Sequence, residues 1–193
     1  MIGNDVVDLQ VAALQSNWRR KGFLEKVFTP SEQAIIKSTS RQDLMVWLLW
    51  SMKEAAYKAH QRRISLPRRL NWKVQQCNIL SMDHRAASGE VKIGNLTYFT
   101  TSEILESYIH TSAGTSYYPA LKRSVFEAPS KTAKNRLLME IANHFSIPSE
   151  ELEIGKNTQG VPVILQKNHI VFTHFSLSSH GKFSAFTSSL INC

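Results

Sequence analysis

Residues Trp50 to His60 read WSMKEAAYKAH. Helix formers fill the stretch almost throughout, and the surrounding pattern predicts a long helix over residues 42–63. The spacing sets Trp47, Trp50, Glu54 and Lys58 along one side of it, three and four residues apart. Leu44, Leu48, Met52, Ala55 and Ala59 give an adjoining apolar surface, so Glu54 is expected at the margin of the core. A Glu-to-Lys pair four residues apart is an ordinary helix stabiliser, and alone it is more often structural than functional. A second acid changes the weighting. In GNDVVDL, residues 3–9, Asp5 stands between Asn4 and the pair Val6–Val7. A carboxylate at the end of a short strand, partly enclosed, needs a partner or a metal.

The rest of the chain frames that pair of acids. Its 193 residues suit one domain or two small fused lobes. Hydrophobic residues make up 42% and charged residues 20%, which reads as globular and not disordered. Strands are expected at 2–9, 71–78, 89–98 and 103–112, with a turn at Ser88–Gly89. Helices are expected at 11–26 and from Pro30, where FTPSEQ offers Thr29 as a cap and Glu32 three residues on, as a capping box requires. Pro67 closes the region after the long helix. A loop over 113–129 holds Tyr117, Tyr118 and Pro119. A second long helix at 130–145, capped by Ser130, precedes strands at 150–155, 161–165, 169–176 and 182–190, with the turn NTQG at 157–160. One long helix with several strands thus occurs twice. The expected fold class is α+β, two similar lobes in a pseudo-two-fold arrangement, divided as 1–125 and 126–193.

No window reaches the length of a membrane span, and MIGNDVVDL lacks the positive and apolar runs of a secretion signal. Cys77 and Cys193 share no ligand spacing, so a reducing, cytoplasmic setting is the expectation. The net charge of +8 is uneven: residues 1–75 carry 13 lysines and arginines against 6 acids. That part should attract an anion. Arg19, Arg20 and Lys21 form one cluster, and Arg62, Arg63, Arg68 and Arg69 another. Each alone reads more often as a solvated face.

Two carboxylates from separate elements suit Mg²⁺, which keeps several waters and takes phosphate oxygens as further ligands. Asp8 is a further ligand candidate or a turn acid. Near the end of the chain, FSLSSHGKFSAF over residues 175–186 crowds Ser176, Ser178, Ser179, His180 and Lys182 at a strand end. Hydroxyls, an imidazole and a lysine suit a phosphate, and a solvated hairpin turn is the plainer alternative. No G-x-S-x-G elbow marks a hydrolase.

In this order the pieces resemble the 4′-phosphopantetheinyl transferase superfamily. GNDVVDL resembles its aspartate motif, WSMKEAAYKA its W-x-x-KEA-x-x-K motif, FTPSEQ the F-T/S-x-x-E segment between them and FSLSSHG its S-x-S-H segment. LEIGKNTQGVPVIL resembles the segment with Lys, Gly and Pro before the last motif. One departure stands out: Ser179 occupies the place of the motif histidine, which follows as His180.

The resemblance implies transfer of the phosphopantetheine arm of coenzyme A to a serine of an apo acyl or peptidyl carrier protein, with release of 3′,5′-ADP. It implies that Asp5 and Glu54 bind Mg²⁺ (or Mn²⁺), with Asp8 as a nearby helper. Glu54, or a water beside it, takes the serine proton. Lys58 contacts the diphosphate, and Lys53 is a weaker candidate for the same work. Ser178, Ser179 and His180 face the nucleotide or its phosphates. Arg19 and its neighbours dock an acidic carrier, of fatty acid, polyketide or peptide synthesis, or hold the 3′-phosphate. The chain is near the length of the surfactin-type members, which are monomers, but carries the acids first and the serine motif last. A monomer with one cleft between facing lobes is the expectation. Three other readings compete with this one. A non-catalytic relative that binds coenzyme A or a carrier explains the displaced histidine but not the intact Asp5, Glu54 and Lys58. A nucleic-acid binder lacks a recognition motif and aromatics interleaved with its arginines. A bland scaffold leaves the ordered motifs unexplained.

Overall fold

The computed structural model describes residues 1–64, 71–116 and 121–189. The expectations for Pro67, Arg68, Arg69, Tyr117, Tyr118, Pro119 and Cys193 lie outside them. Strand β1 (Ile2–Asp8) leads into helix α1 (Leu9–Gln15), α2 (Phe23–Val27), α3 (Pro30–Ser38) and the long α4 (Gln42–Ile64). Four strands follow: β2 (Gln75–Met82), β3 (Ala86–Ile93), β4 (Leu96–Ile104) and β5 (Tyr108–Gly114). With β1 they form an antiparallel five-stranded sheet in the order β1-β5-β4-β3-β2.

The second half of the chain supplies β6 (Lys122–Glu127), α5 (Ser130–Phe145), β7 (Leu152–Lys156), β8 (Pro162–Gln166), β9 (His169–Phe172), β10 (Phe175–His180) and β11 (Phe183–Ser188). These make two three-stranded sheets, β10-β11-β6 and β7-β8-β9. The chain is α+β. One apolar core surrounds α4, and another joins α5 to β8, β10 and β11 through Leu137, Ile141, Ile164, Phe175 and Phe186.

Helix α4 is buried nearly all round, with Leu44, Val46, Leu48, Leu49, Met52, Ala55, Ala56 and Ala59 in the core. Such a helix must lie between layers. It packs on the five-stranded sheet on one side and under α1 and α3 on the other. Gly3 permits the closest approach. A Cβ there would run into the Ala55 carbonyl oxygen and stand 2.6 Å from the Ala59 nitrogen. The missing side chain therefore lets β1 lie directly on the turn of α4 that carries Glu54 and Lys58.

Several boundaries differ from the sequence reading, each for a local reason. The helix expected over 11–26 is two helices, parted where Asn17 Oδ1 accepts from Arg19 N at 3.1 Å and Gly22 takes φ 83°. Such side-chain bonds to the backbone compete with helix. Gly89 lies inside β3 and marks no turn. A Cβ there would press on Asn78 O and Met52 Cε, beside an irregularity in the β2–β3 register. This is the close-approach role of a strand glycine. The loop expected over 113–129 contains β6, and the stretch 169–176 divides into β9 and β10. Helix α5 has Pro129 at its cap position, and Ser130 is its first residue. The capping box at Thr29 and Glu32 forms as read.

Candidate active site

Period-two alternation splits the work of β1 between two sides. Asp5 and Val7 turn to α4; Asn4, Val6 and Asp8 turn to the second half of the chain. On β10 the same alternation sends Phe175 and Leu177 into the α5 core, and Ser176, Ser178 and His180 toward β1. Ser176 Oγ accepts from Asn4 N at 3.0 Å, and His180 Nδ1 accepts from Asp8 N at 2.9 Å. Side chains of β10 thus satisfy backbone donors that β1, an edge strand, would otherwise leave open.

Two adjoining cavities open along this seam. The larger, about 610 Å³, is lined by Glu54, Lys58, Arg62, Lys134, Lys156 and the stretch Ser176–Ser179, among others. Four cations face it with one carboxylate, so it suits a polyanion. The smaller, about 290 Å³, is lined by Asp5, Glu54, Lys58, Ser179 and His180, with an apolar wall of Val7, Phe23, Trp47 and Trp50. Glu54, Lys58 and Ser179 line both. Trp50 is braced by Trp72 at 4.2 Å between ring centroids and by Phe23 at 6.3 Å.

Lys58 Nζ donates to Asn4 O at 2.7 Å and to Asp5 Oδ1 at 3.3 Å. Burial pushes the Asp5 carboxyl up, and the nearby Lys58 offsets this only in part. A carboxylate in that position gains from a second cation. Glu54 lines the same cavity, and two carboxylates are hard oxygen donors of the kind Mg²⁺ takes. Among the described residues no three His, Cys, Asp or Glu side chains cluster as a metal site. The donor set fits an ion that draws its remaining ligands from water and phosphate.

Three of the expected residues lie apart from the two cavities. Asp8 is not grouped with Asp5 and Glu54. Its Oδ1 caps α1 by accepting from Gln10 N and Val11 N, both at 3.1 Å, and its Oδ2 accepts from Lys182 N at 3.1 Å. Both oxygens are engaged in tying β1 and α1 to the β10–β11 hairpin. Lys53 is no phosphate contact, because its side chain is wholly buried against Glu32, Nζ to Oε2 at 2.7 Å. It also donates to Val27 O and Trp72 O. Arg19 lines neither cavity; its guanidinium makes two 2.9 Å bonds to Asp43 on the surface.

His180 is absent from the larger cavity and lines the smaller one. Its shift by one residue puts it on the same side of β10 as Ser176 and Ser178. Arg62 donates to Pro162 O and Thr173 O, and burial lowers its pKa to about 10. It ties α4 to the second half. Lys134 and Gln61 were missed by sequence reasoning, and Lys156 was noted only within its segment. No local pattern separates Lys134 from the other exposed lysine of α5, Lys131.

The family model of the 4′-phosphopantetheinyl transferase superfamily matches residues 1–115. The chain belongs to this superfamily. The match takes in β1 to β5 and α1 to α4, and therefore Asp5, Glu54 and Lys58; the superfamily's S-x-S-H-like segment lies beyond it. No curated protein is similar enough to the chain to count as a match. The chain is thus a transferase of the phosphopantetheinyl kind, a family that acts with coenzyme A on carrier proteins. In this transferase no described helix is long and apolar enough to cross a membrane.

The role of Asp8 in this transferase has a testable consequence. Burial raises its carboxyl pKa, but the hydrogen bonds from Val11, Lys182 and Gln10, with the charge of His180, outweigh that and leave it lowered. A lowered folded-state pKa stabilises the fold above the unfolded value, about 3.9, and the contribution is lost as pH falls through the folded value. Asp8→Ala should cost about 1–2 kcal/mol at pH 7, as a lost cap does. The gap to wild type in urea denaturation should narrow steadily below about pH 4. An equal gap at pH 7 and pH 3 would contradict the role.

Proposed function

We propose that the chain moves the 4′-phosphopantetheine arm of coenzyme A onto a serine of an acidic apo acyl or peptidyl carrier protein and releases 3′,5′-ADP. The observation that carries this reading is the seam itself. Glu54 and Lys58 stand where a cation-rich cavity meets a smaller one holding Asp5 and an apolar wall.

The larger cavity takes the nucleotide and its phosphates against Lys134, Lys156 and Ser178. Lys58 meets the diphosphate at the junction, and its bonds to Asn4 O and Asp5 hold it there. Asp5 and Glu54 would hold Mg²⁺, or Mn²⁺ with the same oxygen donors. Bound there, the ion supplies positive charge against the diphosphate. The carrier serine Oγ forms the new bond to phosphorus as the bond from phosphorus to the 3′,5′-ADP oxygen breaks. Glu54 accepts the serine proton, directly or through one water. Positioning and charge neutralisation do most of the work.

Because β1, α4 and β10 of one chain meet at the seam, one chain suffices, and we infer a two-lobed monomer. The test is release of 3′,5′-ADP, followed chromatographically with coenzyme A, Mg²⁺ and an apo carrier. Release should stop on chelation and resume on adding Mg²⁺. A mixture of Glu54→Ala and Ser178→Ala chains should regain nothing beyond the sum of the two. Release unaffected by chelation would overturn the metal reading; regain on mixing would overturn the single-chain site. Coenzyme A bound without any release would favour a non-catalytic relative.

A further inference from the structure

Asn4 lies within GNDVVDL without bringing a charge to the site, yet it is fully buried and touches both halves of it. Its backbone nitrogen donates to Ser176 Oγ at 3.0 Å, and its backbone oxygen accepts from Lys58 Nζ at 2.7 Å. Its side-chain Nδ2 donates to Ser178 Oγ at 3.0 Å and lies 3.2 Å from His110 Nε2. One residue thereby bonds to β10, α4 and β5. A buried amide is costly unless its bonds are made; Nδ2 makes both of its own, while Oδ1 meets no partner among the described residues, and the next inward-facing residue of the same strand, Val6, packs against Phe183 and Ala185 with no polar group.

We propose that Asn4 is a positioning residue of the transfer site, setting Ser178 as a hydrogen-bond donor to the phosphates of coenzyme A while its carbonyl holds Lys58 beside Asp5. The inference rests on the transfer reading above. The placement of Nδ2 between His110 Nε2 and Ser178 Oγ sets the direction of both bonds. His110 is 1% exposed, and burial, with Arg123 and Lys58 nearby, lowers its pKa to about 3. A neutral imidazole offers one nitrogen as acceptor. With Nε2 accepting from Asn4 Nδ2, one amide N–H is committed to His110, and the other is aimed at Ser178 Oγ. Ser178 then accepts from Asn4, and its own O–H remains to donate. Ser178 lines the larger cavity, so that proton serves a ligand oxygen there.

Asn4→Ala removes only the side-chain bonds and leaves both backbone bonds in place. The test compares wild type, Asn4→Ala, Ser178→Ala and the double variant by steady-state kinetics and by calorimetric titration with coenzyme A. Asn4→Ala should raise KM and Kd for coenzyme A about 5- to 20-fold, less than the roughly 10- to 150-fold of a whole hydrogen bond to a charged group, because the Ser178 hydroxyl is misaimed and not removed. kcat should stay within about twofold, since chemistry at Glu54 is untouched. In the Ser178→Ala background, Asn4→Ala should add less than about twofold, because it acts through that hydroxyl. Asn4→Ser serves where Asn4→Ala does not fold, with the same split expected. Additive effects, or a loss of thermal stability and active fraction with KM and Kd unchanged, would overturn the proposal. If wild type releases no 3′,5′-ADP, the transfer reading fails while the four Kd values still decide the role of Asn4. If wild type binds no coenzyme A, both fall.

Discussion

Glu54→Ala should lower the rate of 3′,5′-ADP release by about 10²- to 10⁴-fold, the range expected when a positioned acid or base is lost. The protein should remain folded. Alanine is the best helix former, so α4 keeps its local preference. Glu54 is also only partly buried, unlike its neighbours Lys53 and Ala55. The loss falls on chemistry because Glu54 stands at the junction of the two cavities, where the metal and the serine proton are both assigned to it. Coenzyme A binding should weaken less than the rate falls, since Lys58, Lys134 and Lys156 still line the larger cavity. Thermal melting and single-turnover kinetics on one preparation separate the two effects. A variant that melts as wild type does and keeps transfer within a few fold would remove Glu54 from the mechanism.

Lys53→Met, one residue away, should do the reverse. Lys53 and Glu32 form an ion pair with neither side chain exposed. Glu32 also accepts from Thr29 N at 2.8 Å and from Cys77 N at 2.7 Å. The pair fastens α3, α4, β2 and the carbonyls of Val27 and Trp72 at one point. Removing the lysine strands a buried carboxylate, which costs about 3–5 kcal/mol. At roughly 2–4 °C per kcal/mol for a chain of this size, the melting temperature should fall by about 6–20 °C. The fraction still folded should retain its KM for coenzyme A. Replacing both partners, Glu32→Met with Lys53→Met, should recover part of the loss, because no lone charge remains. A shift below about 2 °C for Lys53→Met would show that the pair carries little of the fold's stability.

These neighbours also show what the sequence could and could not disclose. The side of α4 bearing Trp47, Trp50, Glu54 and Lys58 was legible because helical spacing is local, and all four line the smaller cavity. Asp5 was legible as an acid beside an apolar pair. Lys53 was not, since a lysine in a helix reads as solvent-facing, and its partner Glu32 was already explained by the capping box it also forms. Asp8 read equally well as ligand or turn acid, and only the fold brings Lys182 N to its second oxygen. The basic excess of the first 75 residues pointed to an anion, but Lys134 and Lys156 reach the cavity from elements far along the chain. Asn4 and His110, 106 positions apart, carry no pattern that links them. Strand β6 was lost in a stretch read as loop, because its ladder with β11 is a long-range pairing.

The measurement that tests the central claim most directly is the intact mass of an apo acyl carrier protein after incubation with coenzyme A, Mg²⁺ and this protein. The account expects a gain of one phosphopantetheine on the carrier serine, absent when the metal is chelated and absent with Glu54→Ala. No gain across apo carriers of fatty acid, polyketide and peptide synthesis, from a folded protein that binds coenzyme A, would contradict it.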